Sequence, residues 1–339
     1  MQSYEISFLI TKFGFFLAVF ANSFLIYITL CHVRKIDAIY KTMVSFYAML
    51  GILFSGWELI AKPFMHNFNE SMVFFSLRTT VSQKFFQFSI AFYAGMSEAL
   101  MALMAAQFVY RYLVSCRAEH SKKYEQGSGL LWILYPAIPG ILYYSSFYLF
   151  CLPDHYADSY LRTEFQFSYG LDVSTVPRFV ILSYNLDGSI RWKNLCFLAQ
   201  AVFILGFHYL IIVLFAIKMH FQLKKKLSEY STTYSRLQNQ IFLALILQTL
   251  IPTFIFILPA GPIFFGPLLS PIFDFPIRLK SGWLCSIFSV YPAIDSIVFM
   301  VVVKEYKRSA TNRVVGVFKP NVQFSAQSFT IDVRSRQVL

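Results

Sequence analysis

Charged side chains are scarce in this chain: Asp, Glu, Lys and Arg make up 14% of its 339 residues, against about 25% in a typical soluble domain. Apolar residues fill the gap at 57%, and 19% of the whole is aromatic. Such a chain lacks the polar surface of a water-soluble fold and reads as a polytopic membrane protein. The signatures of most chemistry are missing too. Five cysteines, Cys31, Cys116, Cys151, Cys196 and Cys285, form no CxxC pair and no Cys/His array at ligand spacing. Neither zinc nor redox chemistry is indicated, and no metal or cofactor is expected. No HExxH segment or nucleophile-base pair marks an intramembrane enzyme. The N-terminus has no basic region leading to a short apolar core and a cleavage site, and its first apolar run is long enough to span, so it reads as a retained helix.

The formal charge of +12 does not point to nucleic acid, because the basic residues lie in short clusters between apolar runs, as topology signals do. Runs suited to spanning lie near Phe13 to Leu30, Met43 to Ala61, Phe85 to Val109, Leu130 to Phe150, Leu195 to Ile217, Ile241 to Leu258 and Gly282 to Val303. The expected fold is therefore an all-α membrane protein, a seven-transmembrane helix bundle over residues 1–303. A juxtamembrane basic amphipathic segment over 304–319 and a disordered cytoplasmic tail over 320–339 follow it. Links on one side carry 17 Lys and Arg and those on the other 10, which places the N-terminus outside and the C-terminus inside. Asn69-Glu70-Ser71, the only Asn-x-Ser/Thr site, falls in a link this topology puts outside, where Asn69 can carry a glycan or be a plain polar loop.

The third run is the organising stretch, with one carboxylate, Glu98, near its middle and Tyr110-Arg111-Tyr112 at its end. At 3.6 residues per turn Ala91, Gly95, Glu98, Ala102 and Ala105 share a face, with Leu100, Leu103 and Met104 towards the other. Small residues permit close helix approach in lipid, so the Glu98 face is expected to point into the bundle. A carboxylate there costs about 2.5–3.5 kcal/mol to insert, so Glu98 reads either as a functional group beside a partner or cavity, or as a protonated structural residue.

Prolines punctuate the later helices at Pro136, Pro139, Pro252, Pro259 and Pro292. A kinked sixth helix can swing its inner end, where Lys224, Lys225, Lys226 and Arg236 form a basic surface. Gln248, Pro252, Pro292 and Asp295 read as a polar switch, since buried polar groups between helices favour one packing over another. Glu58 is a weaker candidate for ligand contact, since Lys62, four residues on, can pair with it at the membrane edge. An outside bridge between Cys151 and Cys196 is permitted, with two unpaired thiols as the alternative.

Several blocks resemble the Str group of nematode seven-transmembrane chemoreceptors, the str and srj classes in particular, over nearly the whole length. The most specific is QIFLALILQTLIPTFIFILP, Gln240 to Pro259; next comes Tyr291-Pro292-Ala293-Ile294-Asp295, similar to the family's Tyr-Pro-x-x-Asp. Weaker blocks are Tyr40-Lys41 leading to Pro63 and His66, and Val109-Tyr110-Arg111-Tyr112, which stands where other receptors carry Asp-Arg-Tyr. Tyr110 replaces the acid there, so a lock between an adjacent carboxylate and Arg111 is excluded. The resemblance implies a receptor for an odorant or other small molecule, on the sensory cilia of chemosensory neurons, signalling through a heterotrimeric G protein. Arg111, Tyr112 and the basic residues Lys224, Lys225, Lys226 and Arg236 are the expected coupling surface, with membrane lipid the other partner. For ligand contact the expected residues are Trp57, Tyr93, Glu98, His208 and Tyr291, polar or aromatic groups facing the interior of the outer bundle. Two other classes remain: a seven-helix ligand-gated odorant channel with inverted topology, which the charge count opposes, and a secondary transporter, which the lack of internal symmetry opposes.

Overall fold

The structure is a computed structural model that describes residues 2–78, 80–116, 129–226 and 232–318; the expected tail, 320–339 with Lys319, lies outside them. Hydropathy places the seven helices where they are found, but most run past the apolar stretch. They cover Gln2–Cys31, Ala38–Ala61, Gln83–Cys116, a fourth in two pieces, Trp192–Lys226, a sixth from Thr232 to Leu269, and Trp283–Val302. The extra turns are polar ends whose backbone bonds continue the helix. Hydropathy marks only the part that lipid must touch.

Proline explains the two irregular helices. The fourth breaks into Gly129–Leu134 and Ala137–Phe150 at Pro136, which has no N–H to continue the first piece. The sixth runs Thr232–Pro252, widens into a π-turn over Thr253–Ile257 where Leu258 N–H bonds the Thr253 carbonyl, and resumes at Leu258–Leu269. A π-turn is a recognised cause of a helix bend.

The third helix sits at the centre, packed by the second, fourth, fifth and sixth. The one-sided reading of this helix is corrected: Leu100, Leu103 and Met104 are as buried as Ala91, Ala102 and Ala105. The small face does make the closest approach. A Cβ at Gly95 would stand 2.7 Å from the carbonyl oxygen of Gly140, and one at Gly140 2.9 Å from that of Gly95, so the third and fourth helices meet backbone to backbone.

An all-α fold is not the whole architecture. One end of the bundle carries a four-stranded antiparallel sheet in the order β3-β2-β1-β4, drawn from three links: β1 Phe64–Phe68, β2 Ser71–Phe75, β3 Arg178–Leu182 and β4 Arg278–Leu279. Asn69, at the β1–β2 turn, takes φ 45°, a left-handed conformation that Asn tolerates better than most residues. Above the sheet lies a cap helix, His155–Tyr169, started by Asp154, which accepts from the Ala157 N–H at 2.8 Å, and stopped by Gly170 at φ 69°. Alternate strand residues separate the two faces. Met65, Met72, Phe74, Phe179 and Ile181 pack down onto the bundle, while Phe64, Val73, Phe75, Val180 and Leu182 pack up against Leu161 and Phe165 of the cap helix. Strands buried on both faces read as plain apolar runs, which hides their period.

At the opposite end the described residues close with a helix over Lys304–Phe318. Buried Tyr306 anchors it, accepting from Thr29 Oγ1 at 3.2 Å and meeting the Phe299 ring at 5.0 Å. Glu305 Oε1 accepts from the Arg34 and Lys35 N–H groups of the first link, each at 3.2 Å.

Candidate functional site

Beneath the sheet the helices enclose a cavity of about 380 Å³. Met65 and Phe74 reach it from above; Tyr93, Ser97 and Glu98 line it from the third helix, Tyr143 from the fourth, Tyr209 from the fifth, Pro252 and Phe256 from the sixth, and Cys285, Phe288 and Tyr291 from the seventh. Its walls are mostly apolar and aromatic with a few polar groups, the composition of small-molecule sites.

Among the described residues Glu98 is the one carboxylate on the wall. Its Oε1 stands 2.9 Å from His208 Nδ1, the same nitrogen that lies 2.9 Å from the Ile204 carbonyl. The Ile204 carbonyl can only accept, so Nδ1 carries a proton, and Nε2, 2.9 Å from the Tyr135 hydroxyl, is left to accept from it when the ring is neutral. His208 thus lies behind Glu98 rather than on the cavity surface. Of the other residues expected to touch ligand, Tyr93 and Tyr291 line the cavity. Trp57 does not: its Nε1 donates to the Ser89 carbonyl at 3.0 Å and its ring packs on Phe88 and Phe92.

Glu58 does not take the pairing with Lys62 that its spacing allows. Its carboxylate turns into the bundle and accepts from Thr11 Oγ1 and the Tyr93 hydroxyl, each at 3.2 Å, while the Lys62 ammonium lies 3.1 Å from the centre of the Phe8 ring. The apolar position of Glu58 between the first and third helices makes the interior contact available. A surface pair would offer little in return.

Below the cavity an aromatic stack descends. Phe256, in the π-turn, lies 4.0 Å from Phe288 between ring centres, and Phe288 5.6 Å from Tyr291. Tyr291 donates to Asp295 Oδ1 at 3.2 Å, Gln248 Nε2 donates to Asp295 Oδ2 at 2.7 Å, and the Tyr47 hydroxyl lies 2.6 Å from that of Tyr291. Beside them Asn22 donates to the Pro292 carbonyl at 3.3 Å and accepts from Ser296 Oγ at 2.6 Å. The Gln248, Pro292 and Asp295 group therefore joins four helices, the first, second, sixth and seventh.

At the end remote from the sheet, Arg111 is fully buried and has a carboxylate after all. Asp37, from the first link, presents Oδ2 to Arg111 Nη1 at 3.3 Å and Oδ1 to the Tyr110 hydroxyl at 2.5 Å, while Oδ1 also accepts from the Tyr40 N–H at 2.9 Å to cap the second helix. The guanidinium lies 3.5 Å from the centre of the Tyr40 ring, a cation–π stack. Arg111 Nε and Nη2 find no hydrogen-bond partner among the described residues. The sequence reading missed Asp37, though an Asp just before an amphipathic run is an N-cap signal. Tyr112 faces the fifth helix, its ring 5.2 Å from Phe215. Lys224 and Arg236 are exposed; the side chains of Lys225 and Lys226 lie outside those described.

At the sheet end the structure decides between the two alternatives for the cysteines. Cys151 and Cys196 are both free; Cys151 is buried among Phe147, Phe179 and Phe197, while Cys196 is exposed on the outer side of its helix. No bridge forms. Buried His66 stands 3.1 Å from Glu164 Oε1 and accepts or shares a proton with the Tyr169 hydroxyl at 3.1 Å, and Arg278 closes on the other Glu164 oxygen. Burial pushes the His66 imidazole down to about 4, against the pull of Glu164. Burial alone would raise the Glu164 carboxyl, but hydrogen bonds from Arg278 and Ser168 outweigh it and hold that group below its usual range. Asn69 sits half-buried at the hairpin tip, its N–H donating to the Ile277 carbonyl at 2.7 Å.

Seven spanning helices around a capped cavity, with a buried arginine at the other end of the third, define a serpentine receptor fold of the G protein-coupled type. Squid rhodopsin superimposes with a TM-score of 0.57 over 96% of this chain and 89% of its own, at 13% identity, so that likeness is one of fold alone. The chain belongs to the Str family: the model of the serpentine type 7TM GPCR chemoreceptor Str matches residues 7–311. The Caenorhabditis elegans G-protein coupled receptor str-33 is 35% identical over 92% of both chains. Serpentine receptor class r-10 of the same species is 26% identical over 82% of both, and its Caenorhabditis briggsae counterpart is 25% identical over 80% of this chain and 79% of its own. The chain is thus a multi-pass membrane chemoreceptor, of a family of receptors rather than enzymes.

Proposed function

We propose that this receptor binds a small odorant-type molecule in the cavity beneath the sheet and activates a heterotrimeric G protein at the Arg111 end. The sheet faces outside, the C-terminus lies in the cytoplasm, and the chain serves at the plasma membrane of a chemosensory neuron, in the sensory cilium. The observation that carries this reading is the contact path from the cavity wall through Phe256, Phe288 and Tyr291 to Asp295 and Gln248. A molecule displacing Phe256 disturbs a polar group that joins four helices. Arg111, held by Asp37 with two donors unspent, is able to exchange that carboxylate for another acceptor when the helices shift.

Topology is tested first: a glycan on Asn69 and a C-terminal epitope reached only after permeabilisation support the orientation, and an epitope exposed on intact cells overturns it in favour of the inverted channel. In cells screened with an odorant panel and read by G protein dissociation, an agonist response lost in Phe256→Ala at unchanged surface expression supports the coupling path. A wild-type response in that variant refutes it.

A further inference from the structure

The way into the cavity is not through its roof. Two layers separate it from the sheet end: the strands, whose lower face of Met65 and Phe74 is buried, and the cap helix packed on their upper face through Leu161 and Phe165. The inner wall is equally closed, with Ile90 and Leu100 1% and 2% exposed.

The wall between the fifth and sixth helices is different. Val202 and Phe265 line the cavity, yet are 50% and 39% exposed, so a single side chain spans from interior to exterior there. Gly206 and Gly261 also line the cavity, and a Cβ built on either would meet nothing within 4 Å. Phe203 and Leu258, 73% and 57% exposed, frame the gap, and such surfaces on spanning helices face lipid. Gly261 lies about 12 Å below the helix end at Leu269 by helical rise, at hydrocarbon depth rather than at the bilayer surface.

We propose that ligands reach the cavity sideways from the bilayer, through this gap between the fifth and sixth helices. The ligands it admits are small, uncharged molecules that partition into lipid. The inference rests on the cavity being the ligand site. It adds a selection step before binding, because a molecule that stays in water has no path to Glu98.

The test uses thiols in the cavity of the full-length receptor in lipid nanodiscs: native Cys285, and a Ser97→Cys variant as a second reporter. Two maleimides of the same reactivity serve as probes, uncharged N-cyclohexylmaleimide and a sulfonated, membrane-impermeant analogue, with labelling at each position followed by peptide mass spectrometry. The expected result is modification by the uncharged reagent alone. Gly206→Trp and Gly261→Trp, where an added Cβ meets nothing within 4 Å, should slow it at least about tenfold, a barrier increase near 1.4 kcal/mol. Leu142→Trp, an exposed position on the fourth helix, should leave the rate unchanged. Equal labelling by the sulfonated reagent, or a rate indifferent to both glycine variants, overturns the lateral path while leaving the cavity as ligand site. Protection of both reporters from both reagents until the receptor is unfolded overturns the cavity reading itself.

Discussion

Removing the charge from Asp37 isolates one contact between the end of the third helix and the start of the second. In Asp37→Asn the side chain keeps its size, still caps the second helix and still accepts from the Tyr110 hydroxyl, because Asn serves as well as Asp in an N-cap. The Arg111 stack on Tyr40 is untouched. Only the ion pair is lost. That pair is a single contact at 3.3 Å with Arg111 1% exposed and Asp37 21%. Its worth is therefore near the low end for a charged hydrogen bond, about 2 kcal/mol, rather than the larger figure for a fully buried pair. At 1.4 kcal/mol per decade this is a shift of roughly thirtyfold between receptor conformations. A receptor about 1% active at rest would become about a quarter active, provided the Asp37-bound arrangement is the resting one. The assay is agonist-free nucleotide exchange on a panel of heterotrimeric G proteins, with purified receptor in nanodiscs at matched concentration. Asp37→Ala separates capping from locking. It should raise exchange similarly and also lower thermal stability by about a further 1 kcal/mol. Basal exchange in Asp37→Asn that equals or falls below wild type refutes the lock.

Three further outcomes are expected. Gly95→Val drives a side chain into the Gly140 carbonyl, where the neighbour is backbone and cannot turn aside; a loss of about 1–3 kcal/mol should appear as a lower melting temperature, and an unchanged one would contradict the close helix crossing. Acid should loosen the cap. The His66 imidazole, facing Glu164, Tyr169, Arg278 and Lys280, has its folded value depressed to about 4 from an ordinary 6.5, so its contribution is present above pH 6.5 and is lost as pH falls towards 4; Glu164, also depressed, acts in the same direction at the acid end. The full shift corresponds to about 3 kcal/mol, read as faster hydrogen exchange in β1 and β2 at pH 4.5 than at pH 7.5 after correction for intrinsic rates, and equal protection at both would remove His66 from the account. Asp295→Asn weakens the acceptor of both Gln248 and Tyr291 and should change basal exchange several-fold, about 1 kcal/mol; unchanged expression and unchanged basal exchange together would end its assignment as a switch.

The seven spans were legible because lipid imposes its pattern locally, on each run of residues by itself. What the runs touch was legible only in part. Glu98 and His208 were each picked out, but they stand 110 positions apart in the chain, and their pairing depends on how the third and fifth helices rotate against each other. The same freedom explains why Tyr93 and Tyr291 reach the cavity and Trp57 does not. Asp37 could be read as a cap from its neighbours, whereas its reach to Arg111 requires the first link to fold under the third helix. The strands were hidden for a different reason: with one face on the bundle and the other on the cap helix, every second residue has no need to be polar.

The third helix carries both Glu98 and Arg111, yet it is a poor candidate for transmitting between them. It is unbroken from Gln83 to Cys116 and packed by the second, fourth, fifth and sixth helices, so a local push on Glu98 would have to move the whole rod. The sixth helix is built otherwise. Its π-turn begins directly after Pro252, and both Pro252 and Phe256 lie on the cavity wall. One of its turns is therefore wider and easier to rearrange than those of an unbroken α-helix, at the place a ligand would press. Gln248, one turn before Pro252, holds Asp295 of the seventh helix. Pressure on Phe256 can be relieved by rotating the helix segment that bears Gln248, at the expense of its contact with Asp295, whereas pressure on the third helix is opposed by its entire buried surface. The softer element is the one placed to move.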